Sequence, residues 1–442
     1  MKQIFLFLTI LAMVACHSRH HENAIPRTAI ALVTIDPTAA NADEQQSEEW
    51  LKWLNVDDAK DCGIDLQAPL YLFESADANM GLCAAVADEN QLDSWVKQTL
   101  TKDNTARTID DRKGFHFAVI KDAWLMGYSD EALLVMGPVV AEGIPSLQQQ
   151  MVKQLSAGED EGVRGGRLWA VADTLSAPVT IVAQAQALPE QVAAPLCLGA
   201  PRDAEPSQVY VRATMTPDKD ILLVDAAAFA FQEKIQQTLK ENAKVWQMPK
   251  GRFYDRMGAN DVAAFFARAK GSEFLRLLHT QKTVETMLTG INAVIDMDAV
   301  LRSVDGDIAF FYRKSEGKDF VFRFMAELDN TDFLSQVDYW KKSVPKGSTI
   351  SNDGEKMYRY KDGHNEVRFG VDADGCFVAE TLPADSTAGM TADLKGAVEG
   401  HSPVMALRLP ALLAGNEVSE WLMPLLKPIT GGAQTIVYRA NY

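Results

Sequence analysis

The chain is poor in cysteine, and the cysteine it has is dispersed. Beyond Cys16 there are only Cys62, Cys83, Cys197 and Cys376, with no CxxC pair and no Cys/His ligand spacing. That pattern argues against a zinc ribbon, a thioredoxin-like redox motif and a compact disulfide framework. The four read as small buried residues, and only Cys62 and Cys83 lie close enough in sequence to be worth testing as a pair. Basic charge is also short: 43 Lys and Arg stand against 60 Asp and Glu, a net charge of −17. The densest runs are acidic, as at Glu159-Asp160-Glu161. A surface of that sign repels phosphate backbones and anionic headgroups, so nucleic acid is not an expected partner. The chain lacks GxSxG, HExxH, GxxxxGKS/T and GxGxxG, the local signatures of a nucleophile elbow, a zincin, a P-loop and a dinucleotide site. No catalytic residue and no cofactor is assigned, and an enzyme is not expected.

Long apolar runs are nearly absent too. The single strong one is Ile4–Val14, behind Met1-Lys2-Gln3, and it is shorter than the ~20 residues a membrane-spanning helix needs. Its length suits the h-region of a signal peptide. Met13-Val14-Ala15-Cys16 follows it in the manner of a bacterial lipobox. The expectation is a leader over residues 1–15, then an acylated Cys16 on a flexible tether over residues 16–25. Attachment would be to a membrane through acyl chains on Cys16, since the acidic surface offers no electrostatic help.

What is present is a mixed pattern that repeats. Ile30–Ile35 and Leu70–Phe73 read as strands, followed by Leu82–Val86 and a helix carrying Leu92 and Val96 at i and i+4. About 240 residues later, Leu70-Tyr71-Leu72-Phe73 finds a match in Ile308-Ala309-Phe310-Phe311. Ala87-Asp88 with Leu92 and Val96 matches Leu328-Asp329 with Phe333 and Val337. The turn Lys121-Asp122-Ala123 before Trp124 is set against Asp374-Gly375 before Cys376. Leu168–Val171 is set against Val404–Leu407, and Val209–Met215 against Thr435–Arg439. Shared order over such distances points to an internal duplication. Phe231, Ile235 and Leu239 keep a helical period, as do Val284, Leu288, Ile291 and Ile295. Ser156–Gly166 and Pro249-Lys250-Gly251 read as linkers. The expected fold is α+β, two tandem, diverged lobes, each a mainly antiparallel sheet with packed helices. The first lobe spans 26–248. The second spans 249–442 and lacks the hairpin partner that Ile221–Ala226 provides in the first.

Candidates for chemistry are sparse. His17, His20, His21 and Glu22 form the one local cluster of metal-ligand types, but they fall on the expected tether, with nothing to fix their geometry. No metal site is assigned. His116, His279, His364 and His401 lie far apart. Asp372-Ala373-Asp374-Gly375 has a fragment of calcium-loop spacing, but Phe377 and Val378 arrive too soon for the full loop, so it reads as a hairpin turn. Asp305-Gly306-Asp307 reads as strand punctuation. Trp50 and Trp53, at helical spacing beside Leu51 and Leu54, read as core and not as a sugar-stacking pair.

The lipobox at Cys16, Ile25-Pro26 before a short strand and Gly63-Ile64-Asp65-Leu66 before Pro69–Phe73 are together distinctive. With Ala87-Asp88 and Asp305-Gly306-Asp307-Ile308, the chain resembles uncharacterised Bacteroidales lipoproteins that carry a large domain of unknown function. The resemblance implies an envelope lipoprotein with no established reaction. In that group, surface-exported members often carry acidic residues just after the acylated cysteine. Here His17-Ser18-Arg19-His20-His21 stands there, which leans toward the periplasmic side. The leading expectation is a non-enzymatic envelope protein for binding or assembly, with an envelope protein or a glycan as partner. The alternatives are a glycan-, peptide- or small-molecule-binding module using a cleft between lobes, and an envelope hydrolase. The ligand-binding residues are unknown at this level.

Overall fold

A computed structural model describes residues 20–40, 52, 54, 56–101, 106–190, 193, 196–292, 294–315, 318–381, 388–410, 430 and 432–441. Cys16, His17, Trp50 and Trp53 lie outside the described residues. The chain falls into two compact units that divide between Val179 and Thr180.

The first unit holds β1 (Ala29–Ile35), β2 (Leu70–Ser75), β3 (Met80–Ala85), β4 (Ala106–Arg112), β5 (Phe115–Ile120), β6 (Trp124–Tyr128) and β7 (Ala132–Gly137). They form an antiparallel sheet in the order β1-β2-β3-β7-β6-β5-β4. Between β3 and β4 runs a helix, Glu89–Trp95. The Asp88 carboxylate caps it by accepting from the Asn90 and Gln91 N–H groups, and Leu92 and Trp95 turn inward. A second helix, Ile144–Leu155, carries Pro145 in its first turn and buries Leu147, Met151 and Val152 over β5, β6 and β7.

In the second unit β8 (Val179–Gln184), β9 (Tyr210–Asp218) and β10 (Ile221–Phe229) are followed by β11 (Ala263–Lys270), β12 (Val304–Ser315) and β13 (Lys318–Leu328). Then come β14 (Thr349–Asn352), β15 (Met357–Lys361), β16 (Glu366–Val371), β17 (Cys376–Glu380), β18 (Val404–Arg408) and β19 (Thr435–Ala440). The ladder here is β9-β10-β19-β18-β11-β12-β13-β17-β16-β15-β14. Among the described pairings of this ladder, only β10–β19 is parallel. Pleating sends Phe369 and Phe377 to one face, with Trp340 and Phe333, and Met325 and Val378 to the other, with Phe266 and Phe311.

The order β11-β12-β13-β17-β16-β15-β14 is the order β1-β2-β3-β7-β6-β5-β4 over again. Setting Leu70–Phe73 on Ile308–Phe311 carries the cross-strand partners along. Gly81 falls on Arg323, Cys83 on Met325, Met136 on Glu380 and Gly127 on Gly370.

Other matches shift. Lys121–Ala123 joins β5 to β6, so its topological counterpart is the turn Asp362–Asn365 between β15 and β16; Asp372–Gly375 joins the next pair. Leu168–Val171 is not a strand but part of a helix, Arg167–Ala172, because a four-residue apolar run suits either state. The second sheet is not short of a partner for β19 either: β10 pairs with β9 on one side and β19 on the other. The helix near Ile235 starts at Glu233, leaving Phe231 outside it.

Three segments expected to be loose are packed. His21–Ala24 forms a buried 3-10 turn, and Ile25 behind it is fully buried, so the tether does not extend to residue 25. In Ser156–Gly166 three of the glycines, Gly162, Gly165 and Gly166, permit close backbone contact. A Cβ on Gly162 would lie 2.4 Å from the Asn23 carbonyl oxygen, which only glycine avoids. Near Pro249-Lys250-Gly251, the N–H groups of Lys250 and Arg252 both donate to the Asp307 carboxylate at 3.0 Å. Asp307 is itself inside β12, buried and paired with Arg268 at 3.2 Å. The stretch around residue 249 therefore lies within the second unit.

Candidate functional site

The first unit encloses an open cavity of about 780 Å³ whose walls include the 3-10 turn, the loop into β2, the end of β3 and the stretch from Arg164 to Asp173. A volume of that order suits a small ligand. Glu22 stands at its centre. Its Oε1 accepts from Arg164 Nη1 at 3.1 Å and lies 3.2 Å from His20 Nδ1. The His21 Nδ1 is 3.5 Å from Oε2 of the same carboxylate. Because Pro69 offers only a carbonyl oxygen, 2.9 Å from His21 Nε2, that nitrogen carries the proton and the ring is fixed. Arg164 also reaches Glu159 at 3.4 Å, and its guanidinium carbon lies 5.9 Å from the centroid of the Trp169 ring.

An aromatic chain backs the polar group: His21 to Tyr71 at 5.4 Å between centroids, and Tyr71 to Trp169 at 5.9 Å. Tyr71 is buried. Its phenol is pushed well above the ordinary value by burial and then by the Glu22 charge. Cys83, behind the turn, donates to the His21 carbonyl at 3.2 Å, and burial likewise raises its thiol. Both groups are held neutral, so neither is an activated nucleophile. Asp65 and Asp173 complete the rim. The arrangement offers a hydrogen-bonding cluster beside a half-buried indole, which suits recognition of a small polar molecule.

Of the local cluster, the structure brings His20, His21 and Glu22 together. Among the described residues no group of three or more His, Cys, Asp or Glu is placed to hold a metal ion. Arg164 engages the Glu22 carboxylate and Pro69 the His21 Nε2, while His21 Nδ1 is buried without a hydrogen-bond partner. The other histidines are separate. His116 meets Asp111 at 3.0 Å, His279 meets Asp298 at 3.5 Å, His364 lies in the β15–β16 turn, and burial lowers the His401 pKa. Asp372 spends its Oδ1 on the N–H groups of Asp374 and Cys376, a turn and not a calcium loop. Cys62, Cys83, Cys197 and Cys376 are free and buried. Sequence reading missed Arg164, hidden in a glycine-rich acidic stretch, and Tyr71 and Trp169, which read as strand core.

Residues 27–382 match the model of a family described as a domain of unknown function, DUF4836. The chain belongs to that family. No curated protein matches it. Solved structures of TP0453 in crystal forms III and IV align with 81% and 82% of this chain and with 92% and 91% of their own. Identity is 7% in both, and the TM-scores are 0.23 and 0.22, a level that carries no argument about fold or role. Among the described residues of this family member, no helix is long and apolar enough to cross a membrane.

Proposed function

We propose that this DUF4836 protein is a non-enzymatic binding protein of the bacterial cell envelope. It is built of two tandem, diverged lobes and anchored on the periplasmic side by acyl chains on Cys16. Its first-unit cavity receives a small polar ligand, with an envelope glycan the favoured class. The lipobox and the resemblance to Bacteroidales lipoproteins support the address, and the repeated strand order supports the duplication.

The observation that carries the reading is the packing of His21–Ala24 into the cavity wall. From Cys16 to His20 the chain reaches at most about 14 Å at full extension. An acylated Cys16 would therefore hold the cavity close to the membrane surface. Binding is favoured over catalysis because Glu22 is neutralised by Arg164, and Tyr71 and Cys83 are kept protonated by burial. Trp169 supplies an indole for a sugar ring to lie against, and Arg164, His20 and Asp65 supply donors and acceptors.

The test has two arms. Membrane fractionation of the native chain against Cys16→Ala should move the protein from the membrane to the soluble fraction. Thermal-shift titration with peptidoglycan and oligosaccharide fragments should stabilise the native protein and fail with Trp169→Ala. Equal membrane retention of both chains would overturn the anchor. Equal stabilisation of both proteins, or of neither, would overturn the cavity assignment.

A further inference from the structure

We propose that the second unit carries a separate binding site for a small organic carboxylate with an apolar body, seated on Arg323 in a cavity of about 550 Å³. The site lies on the face of β13, β17, β16 and β15 that carries Met325, Val378, Arg368 and Met357.

In the first unit much of the corresponding face is covered by a helix. There the ladder-equivalent residues are Gly81, Met136 and Leu125, and the helix Ile144–Leu155 lies over β6 and β7, which carry the last two. A Cβ on Gly127 would meet Met151 and Leu155 of that helix at 3.2 Å. In the second unit the three positions hold Arg323, Glu380 and Arg368, and they line the cavity. Apolar packing positions have become charged ones where space has opened.

Arg323 is the decisive residue. It is only 8% exposed, yet among the described residues no carboxylate lies within ion-pair distance of it. Its Nη2 donates to the Arg256 carbonyl, and its guanidinium carbon lies 4.8 Å from the Phe311 ring centroid. Its Nε is buried with no hydrogen-bond partner. A buried guanidinium normally has a carboxylate or phosphate fitted to its fork. The neighbouring acids are committed elsewhere. Glu380 is engaged by Arg368 at 3.4 Å, and Asp372 by the backbone of its own turn. At the rim, Lys356 and Glu355 offset each other, and Arg256 pairs with Asp374 at 3.3 Å. Asp261 is likewise held by Arg313 at 3.2 Å, so Arg323 is the buried cation of this cavity that makes no ion pair of its own. A single negative charge suits it better than a dianion, because Glu380 lies directly across the ladder. Met325, Met357, Val371 and Val378 give the rest of the ligand an apolar wall.

Calorimetric and thermal-shift titrations of the full chain with hexanoate, hexanamide and inorganic phosphate test this. Hexanoate should bind and raise Tm, while hexanamide, the same body without the charge, should not. Arg323→Met should fold, since an apolar side chain of similar length replaces an unpaired buried charge. It should weaken hexanoate binding about 10- to 100-fold, the worth of a charged hydrogen-bonding contact. Arg323→Lys should retain part of the binding. Equal binding of hexanoate and hexanamide would reduce the site to an apolar cavity and overturn the proposal. So would phosphate binding more tightly than hexanoate, or no response to either anion. The comparison of the three probes on the native protein decides the matter even if Arg323→Met fails to fold.

Discussion

Arg323 and Phe311 are direct cross-strand partners on β13 and β12, with the guanidinium carbon 4.8 Å from the ring centroid. The pair at the same ladder position in the first unit is Gly81 opposite Phe73. One fold position thus carries either a bare backbone under a phenyl ring or a cation beside one. The aromatic is constant, and its partner decides whether the face is closed or chemically active.

The Phe73–Gly81 contact is tight enough to be tested directly. A Cβ built on Gly81 would lie 2.2 Å from Phe73 Cζ, and Phe73 is buried with little room to retreat. Gly81→Ala should therefore destabilise the protein by about 1–3 kcal/mol through overpacking, although alanine is ordinarily the better strand residue. Adding Phe73→Leu should recover part of the loss. Urea midpoints of the two singles and the double would show this coupling; an unchanged midpoint for Gly81→Ala would sink it.

The thiols make a second prediction. Burial raises the pKa of Cys62 and Cys376 above the ordinary thiol range and pushes Cys197 up to about 11; Cys83 is raised further. Since the thiolate is the reactive form, these four should resist a disulfide-exchange reagent at pH 8 in the folded protein. All four should react in denaturant, with no mass change on reduction. A reducible Cys62–Cys83 bridge in protein recovered from the envelope would contradict the free thiols seen here.

Asp362 carries the clearest pH signature. Its carboxylate accepts the Asn365 and His364 N–H groups at 2.6 and 2.7 Å, and the Tyr360 hydroxyl at 3.0 Å. These hold its pKa at about 2, against an ordinary 3.8. Because the folded value is the lower one, the contribution to stability is complete above the unfolded value. It is lost as pH falls from about 4 through about 2. Carbon-detected titration of the side chain should give a midpoint near 2, with the β15–β16 turn loosening over the same interval. A midpoint at the ordinary value would show that the turn does not hold the carboxylate.

The recurring strand order was legible in the sequence because the apolar runs at Leu70–Phe73 and Ile308–Phe311 fall at equivalent places in it. The third sector was not. Leu168–Val171 and Val404–Leu407 have the same apolar character, and only tertiary packing makes one a helix and the other a strand. The cavity residues were hidden for a different reason. Glu22 and Arg164 are 142 residues apart, and the segment that presents Arg164 is rich in glycine and acid, the usual mark of a linker. The glycine there serves close approach between backbones, a property that composition does not distinguish from flexibility.

That close approach gives the last prediction. Gly162 bridges to Pro26, and a Cβ on it would sit 2.4 Å from the Asn23 carbonyl oxygen and 2.6 Å from Asn23 Cα. Backbone atoms cannot turn aside as a side chain can, so Gly162→Ala must separate the two segments. The displaced turn would take His21 and Glu22 with it and leave Arg164 without its nearest carboxylate. The sheet from β1 to β7 does not depend on this contact and should persist. Hydrogen exchange should therefore accelerate over residues 20–26 while β2, β3 and β7 stay protected. If exchange over residues 20–26 were unchanged, the turn would not depend on Gly162 for its place; if the whole unit exchanged faster, the turn would be a core element and not merely the wall of a site.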